Sequence, residues 1–537
     1  MLTSAALLPI LVALVLMTRF RMSPGRALPL AWGMTTVFAI AVWKTGVRET
    51  AAASIFGGCK ALDIICIIFG AILLLNVLRE TRLIEAISRS FCALSGDRRI
   101  QLIVIAWLFG GFIEGAAGFG AAPALTAPLL EGLGFPALAA VGAALICNTL
   151  PVPFGAAGTP ALTTLSTLSE NLARNGMESG AFSREMLDAL TAVSGCSGVF
   201  IPFIAVAFVV LLSGGERKGR ALWEILPFSL FAGAAYIVPW RWAALRLGPE
   251  LPSILGAVVG LPVTILALKT GFLVPKRVWR FPGECGNVAT KFVDEPSGIP
   301  VWKAWIPYAL LALILLLTRI PMLPLRGWMN ALPKLSLPEF FGVPGAAFSW
   351  AVWNNPGIVP FSFLAVGTAL AMKLPRHDML RIVLDTGRQI KPASLAIVAG
   401  VAMVEVMVFS ARNEAGVPGM LDCIADAAAG GLGRAYLFGA PFIGILGTFF
   451  AGSCTVSNIL FAPLQFDTAR LLHLSEPVIV ALQNVGGGLG SMIRISGVVA
   501  ACATVNASGK EGKLILLNSV PAFLLAVLAL IVTLVLY

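Results

Sequence analysis

The chain has 537 residues, 58% hydrophobic and only 12% charged, with a formal net charge of +11. A soluble domain carries about a quarter charged residues, so together with a mean hydropathy of +0.90 this composition excludes an ordinary soluble enzyme and a disordered chain. The excess of positive charge lies in short connections between apolar runs, which is the membrane-protein pattern, and no basic patch interleaved with aromatics points to nucleic acid.

A membrane-spanning helix needs about 20 apolar residues. Such stretches fall near 4–18, 27–43, 60–78, 100–130, 135–165, 187–212, 222–244, 251–274, 301–318, 357–373, 392–411, 436–466, 475–505 and 514–536. The first has no positive charge before it and Arg19, Arg21 and Arg26 after it. That order opposes a cleaved signal peptide and predicts a retained span with the N-terminus outside. The stretches 100–130 and 436–466 are each 31 residues long and broken near the middle by glycine or polar residues. Non-helical backbone at membrane depth is tolerated only where it is buried or lines a cavity, so each break marks a site. The nine cysteines form no CxxC pair, and the two histidines, His377 and His473, lie in polar connections. A zinc or dithiol motif is therefore absent, and no cofactor is expected.

Loop charge orders the spans. With both long stretches folded as re-entrant hairpins, the inside loops hold 24 of the Lys and Arg residues and the outside loops 13, with Arg494 left inside a span. If the first stretch crossed instead, the basic connections 217–220, 269–303 and 373–391 would lie outside, against the positive-inside bias. The prediction is an all-α polytopic membrane protein of about 12 transmembrane helices plus two re-entrant hairpins, with both termini outside. The uniformly apolar last span, 514–536, permits a homodimer without arguing for one.

The two halves share a layout. Gly115 precedes Asn148 by 33 residues, and Gly452 precedes Asn484 by 32. Each asparagine opens a helix-breaking run, NTLPVPFGAAGTP (148–160) and NVGGGLGS (484–491). The chain thus divides into N-terminal spans (1–58), a first repeat (59–212, hairpin 100–130, broken helix 135–165), connecting spans (213–385) and a second repeat (386–537, hairpin 436–466, broken helix 475–505). An odd number of crossings between the units inverts one against the other. Inverted repeats with discontinuous helices are the sequence mark of a secondary transporter, with substrate held near the midplane. Helix N-termini freed at the breaks suit an anionic group.

Ionisable groups in these stretches are functional candidates because hydrocarbon penalises them. Glu114, in GGFIEGAAGFGA, is a candidate proton carrier or a latch at the first hairpin turn. Glu405, in GVAMVEVMVFSAR, is a second candidate for proton coupling or a salt-bridge partner for Arg494. Arg494, in SMIRISGVV, is a candidate partner for a carboxylate. Asn148, Thr149, Ser453, Thr455, Ser457, Asn458, Gln483 and Asn484 are polar groups at the breaks, able to donate to a carboxylate or to cap free helix ends.

The units FIEGAAGFGAAPALTAPLLEGLGF (112–135), ICNTLPVPFGAAGTP (146–160), GTFFAGSCTVSNILFAPLQ (447–465) and SMIRISGVVAACATVNASGKEG (491–512) resemble the lactate permease family of bacterial secondary transporters. The resemblance runs from near residue 60 to the C-terminus. It implies a permease of the plasma (inner) membrane for L-lactate, D-lactate or glycolate, coupled to protons, and a fold of the ion-transporter type with opposed hairpins. Glu114, Gly115, Gly118, Gly120, Asn148, Gly155, Ser453, Thr455, Ser457 and Asn458 match the family pattern. Two departures stand out: Cys454 replaces an acid in the Gly-Ser-Asp-Thr segment, and Ser491 replaces the lysine of Lys-Met-Ile-Ser-Pro-Gln. An arginine, Arg494, stands three residues beyond that lost lysine. Another organic anion, carried by exchange or with sodium, is the alternative cargo. A membrane enzyme is disfavoured, because no intramembrane histidine and no HExxH, GxSxG or paired-acid motif is present.

Overall fold

The computed structural model describes residues 2–18, 20, 22–84, 86–87, 95–118, 120–213, 218–282, 299–319, 323, 325–505, 507 and 509–537. Part of the basic connection 269–303 expected inside, namely 283–298, lies outside the described residues, as do 88–94 of the loop 79–99 and Arg217.

Apolar residues with no water to satisfy the backbone must satisfy it within each segment, and the chain is accordingly almost all helix. In order these are α1 (Leu2–Thr18), α2 (Pro24–Ala41), α3 (Val47–Glu80), α4 (Arg98–Ala117), α5 (Ala121–Gly132), α6 (Ala137–Cys147), α7 (Gly155–Thr167), α8 (Ser179–Leu212), α9 (Lys218–Arg246), α10 (Pro252–Thr270), α11 (Val301–Arg319), α12 (Phe363–Ala371), α13 (Arg376–Phe409), α14 (Met420–Leu432), α15 (Tyr436–Ala451), α16 (Cys454–Leu471), α17 (Glu476–Gly490), α18 (Ile495–Ala503) and α19 (Glu511–Leu536). A two-stranded antiparallel hairpin, β1 (Leu335–Leu337) and β2 (Phe348–Trp350), lies between α11 and α12.

Among the described residues nine helices are long and apolar enough to cross a membrane, or ten with the bent pair α6–α7. This falls short of the stretch count read from the sequence. The helices at Leu2–Met17, Val301–Leu315 and Gly357–Ala371 are apolar but short, and α2 is diluted by Arg26 and two prolines.

The stretch 98–132 folds back on itself at Gly118–Gly120, so that Gly110 of α4 faces Thr126 of α5. The stretch 436–471 does the same at Gly452–Ser453: Ser457 Oγ donates to Gly444 O (3.2 Å) and Gln465 Nε2 to Ala440 O (3.0 Å). Both are helical hairpins. Gly118 has φ +62°, Gly120 +85° and Gly452 +70°, a region open to glycine and strained for other residues.

Contacts sort the helix ends into two groups. One end gathers Glu80 with Arg381 (2.7 Å), Arg99 with the carbonyls of Ala221 and Arg277, and Phe135 with Phe281. The other gathers Trp43 with Pro418, Glu170 with Arg412 (3.1 Å), Asn171 with Asp467, and Asp188 with the C-terminal Tyr537. The base of the first hairpin sits in the first group and that of the second in the opposite group, so their tips point toward each other.

The long helices α3 and α13, 34 residues each, pack side by side through small residues. A Cβ on Gly57 would lie 2.6 Å from the Ala402 backbone. Likewise a Cβ on Gly486 of α17 would lie 1.9 Å from Pro441 O of α15. Close backbone approach at glycine is how helices gain packing energy where lipid supplies no hydrophobic drive.

Gly486→Ala should therefore lower the melting temperature of the detergent-solubilised protein, by a loss of at least about 1–3 kcal/mol. Gly33→Ala, on a helical site with nothing within 4 Å, should leave it unchanged or raise it slightly. Equal melting of the two variants would contradict this packing.

Candidate functional site

The two hairpin tips and the two helix breaks meet in the interior. At the first break, α6 and the helix that follows are bent by 63°, and Ala156, Ala157 and Gly158 take φ values of 44°, 50° and 79°. Left-handed backbone costs an L-residue about 1–2 kcal/mol. The run is held by tight packing: a Cβ on Gly118 would meet Ala156 N at 2.8 Å, and one on Gly158 would meet Pro249 O at 2.2 Å. Thr159 Oγ1 donates back to Ala156 O (2.7 Å), and the regular helix restarts around Pro160.

Glu114 lies in the last turn of α4, one turn before the tip, where Gly118 N donates to its carbonyl (2.8 Å). Its carboxylate is buried and faces Arg494, the Asn148 side chain and the Gly120 backbone N–H. Gly155 approaches its Oε1 so closely that a Cβ there would lie 2.9 Å away. Glu114 Oε2 and Asn148 Oδ1 have no protein partner.

Arg494 caps α18 at the second break. Its Nη1 donates to Gly452 O at the second hairpin tip (3.2 Å), and its Nε is unpartnered. Glycines make room for the guanidinium: a Cβ on Gly120 would lie 2.2 Å from Nη2, and one on Gly497 2.3 Å from Nε. One buried cation thus touches both tips.

Glu114, Val152, Gly155, Pro160, Ser453, Cys454, Thr455 and Arg494 enclose a cavity of about 20 Å³, room for about one water. The 18-residue helix α16 opens onto it, with Ser453 extended at its N-cap and making no side-chain cap. The first backbone N–H groups of such a helix have no intrahelical acceptor and carry partial positive charge. A guanidinium beside a helix N-terminus is an anion-binding arrangement.

The other candidates divide. Asn458 Nδ2 donates to Asn484 Oδ1 (2.7 Å), which also accepts from Thr164 Oγ1 (3.2 Å). Gln483 Nε2 donates to Ser457 Oγ (3.1 Å), and Gln465 Nε2 to Gln483 Oε1 (3.1 Å). Ser457, Asn458, Gln483 and Asn484 thus fasten both arms of the second hairpin to α17 and α7, and their side chains are occupied by one another. Thr149 Oγ1 donates to Ile146 O (2.8 Å), closing the end of α6. Gly115 packs on Ser253 and Ile254 of α10 and does not reach the cavity.

Glu405 pairs with Lys60, not with Arg494: Lys60 Nζ lies 2.7 Å from Glu405 Oε1 and also donates to Ser169 Oγ (3.0 Å) and Ser166 O (3.4 Å). Sequence reading counted Lys60 only as a loop charge. Its signal was a cation well inside a 34-residue apolar helix whose other cations, Arg48 and Arg79, lie at its ends. Val152, Pro160 and Gly497 were not singled out, because their part is shape alone.

Opposed helical hairpins whose tips meet beside a buried arginine and a buried carboxylate, in a chain with many apolar helices, point to a membrane transporter. The chain belongs to the L-lactate permease family, whose model matches residues 3–537. It is 30% identical over 507 residues to the L-lactate permease of Escherichia coli (strain K12), covering 90% of this chain and 87% of the relative. It is 29% identical over 564 residues to that of Bacillus subtilis (strain 168), covering 98% and 94%. To the glycolate permease GlcA of Escherichia coli (strain K12) it is 29% identical over 531 residues, covering 95% and 91%. It is a multi-pass protein of the plasma membrane.

Removing one partner of a buried ion pair costs about 3–5 kcal/mol, whereas an apolar pair of similar size is often tolerated. Lys60→Met should accordingly lower the melting temperature sharply, and Lys60→Met with Glu405→Met should recover most of the loss. A double variant no more stable than the single would show that the two side chains do not act as a pair.

Proposed function

We propose that the chain imports L-lactate or a related small 2-hydroxycarboxylate, D-lactate or glycolate, by proton symport. The observation that carries the reading is Glu114 facing Arg494 across the cavity between the hairpin tips. The relatives' names, L-lactate permease and glycolate permease GlcA, support the substrate class. The two hairpins are taken as re-entrant from opposite sides, among 12 full spans with both termini outside.

Charge balance then couples the two ions. The cavity holds one cation and one anion. A substrate carboxylate brought to Arg494 adds a second negative charge in a poorly solvated space, where unpaired charge is expensive. A proton on Glu114 restores the balance and frees the guanidinium and the α16 N-terminus for the substrate. One proton enters with each carboxylate, and the cycle is electroneutral. The cavity admits one water, so the tips must part to admit a carboxylate. Glu405 is held by Lys60, so the coupling proton is assigned to Glu114.

The test is uptake of radiolabelled L-lactate by proteoliposomes under an inward proton gradient, with glycolate and D-lactate as competitors. Uptake should rise as outside pH falls and should not respond to a membrane potential imposed alone. Glu114→Gln should lose gradient-driven accumulation at least tenfold while lactate binding becomes independent of pH. Arg494→Met should weaken binding at least about thirtyfold, the loss typical of removing one member of a buried charge pair. Potential-driven uptake without a pH gradient would overturn the charge scheme. Absence of lactate uptake and of competition by all three acids would overturn the substrate.

A further inference from the structure

A second, wider space meets the same arginine. A crevice of about 350 Å³ runs between the hairpin tips and the helices α2, α3 and α13. Its walls are apolar, built by Ile68, Ile72, Ile390, Pro392, Ile397 and Val456, and Arg494 is the one charged residue among the described residues lining it. At the α2 side Pro24 and Gly25 pack beside Gln389 and Pro392, near the end of the charged first half of α13, Arg376–Lys391. Ser453 and the exposed Ser496 line the crevice together with the guanidinium, with Ser496 Oγ donating to Gly452 O (3.3 Å).

The two spaces differ in size and in charge. The small cavity holds both Glu114 and Arg494 and has room for about one water, whereas the crevice is far larger and has Arg494 without the acid; lactate needs no more apolar room than its single methyl. A carboxylate held by Arg494 with its 2-hydroxyl at Ser453 has one substituent left to place, and the apolar crevice is the direction with room for it. Resting on the carboxylate reading above, we propose that the substrate class extends to 2-hydroxyalkanoates longer than lactate, of four to six carbons, with the alkyl group seated along Ile68, Ile72 and Ile397. The same walls discriminate against dicarboxylates: a second carboxylate would lie against isoleucine with no cation to meet it, a position that costs far more than an alkyl group there.

Burying one methylene strengthens binding up to about fourfold. The experiment is competition against radiolabelled L-lactate with the full-length protein in proteoliposomes. The competitors are glycolate, 2-hydroxybutanoate, 2-hydroxy-4-methylpentanoate and malate. Inhibition should strengthen about two- to fourfold per added methylene, reaching at least eightfold over lactate for the six-carbon acid, and malate should not compete. Ala393→Phe, which puts a ring into the crevice, should cut the six-carbon to lactate affinity ratio at least fivefold. A second variant, Ile72→Ala, guards against misfolding of the first and should lower the same ratio without filling the space. Lactate competing with itself while the longer acids bind equally or worse would overturn the proposal and leave the lactate reading standing. A ratio unmoved in both variants would also overturn it. No competition by any acid, lactate included, would overturn the lactate reading and this one with it.

Discussion

A guanidinium cannot stand alone inside a membrane protein, and the interior of this one is arranged around that constraint. Arg494 sits at a helix break, where no regular hydrogen-bond ladder competes for its contacts. It meets the carbonyl of one hairpin tip at Gly452 and faces the carboxylate of the other hairpin at Glu114. Glycines at 120 and 497 supply its space. The left-handed run at 156–158 brings Gly155 up to the Glu114 carboxylate and gives the Gly118 tip a surface to rest on. Four breaks in the chain, each expensive by itself, converge because one charge pair needs all of them.

The remaining buried polar groups serve the frame. Asn458, Asn484, Gln483, Gln465 and Ser457 hydrogen-bond to one another, tying the second hairpin to α17 and, through Thr164, to α7. Such a network favours one arrangement, because each bond lost would leave a buried polar group unpaired at a large penalty. Lys60 and Glu405 join α3 to α13 and hold the end of the first broken helix through Ser166 and Ser169. Each of these frame clusters keeps one unpartnered oxygen, Oε1 of Gln465 and Oε2 of Glu405, while the Glu114 and Arg494 site keeps two unpartnered atoms, Oε2 and Nε, beside the cavity between the tips.

Much of this was legible in the chain. Glycine and proline in the apolar stretches pointed to the turns at Gly118–Gly120 and Gly452 and to the break after Asn148, but the run 484–490, expected to break its helix, stays helical within α17, where Gly486 serves close packing instead. Glu114 and Arg494 were visible as charges in apolar runs. What stayed hidden was pairing. Glu405 and Lys60 are 345 residues apart, and periodicity carries no information about which buried acid meets which base. Nor does sequence separate a polar residue that faces a cavity from one that faces its neighbours: Asn148 and Asn484 read alike in the sequence, yet Asn148 ends α6 and reaches toward Glu114, whereas Asn484 lies inside α17, locked against Asn458 and Thr164. The stretches 4–18 and 357–373 were read as spans, and the helices described there, Leu2–Met17 and Gly357–Ala371, are apolar but at most 17 residues long.

The departures from the family pattern fit the charge balance of the site. Cys454, standing where the resemblance expects an acid, is the first residue of α16 and lines the cavity. An acid there would sit on the helix N-terminus and satisfy it from within, in the way a carboxylate stabilises the first turn of a helix. A buried thiol leaves that positive end free. Against the pattern, the chain lacks an acid at 454 and a lysine at 491 and gains an arginine at 494. The cation is thus kept but moved by three residues, while one of two acids is gone, and Glu114 with Arg494 makes a neutral set. Arg494 also differs from a lysine in kind. Its planar fork binds a carboxylate through two parallel bonds, which fixes the orientation of the bound acid and with it the direction in which the rest of the molecule must point.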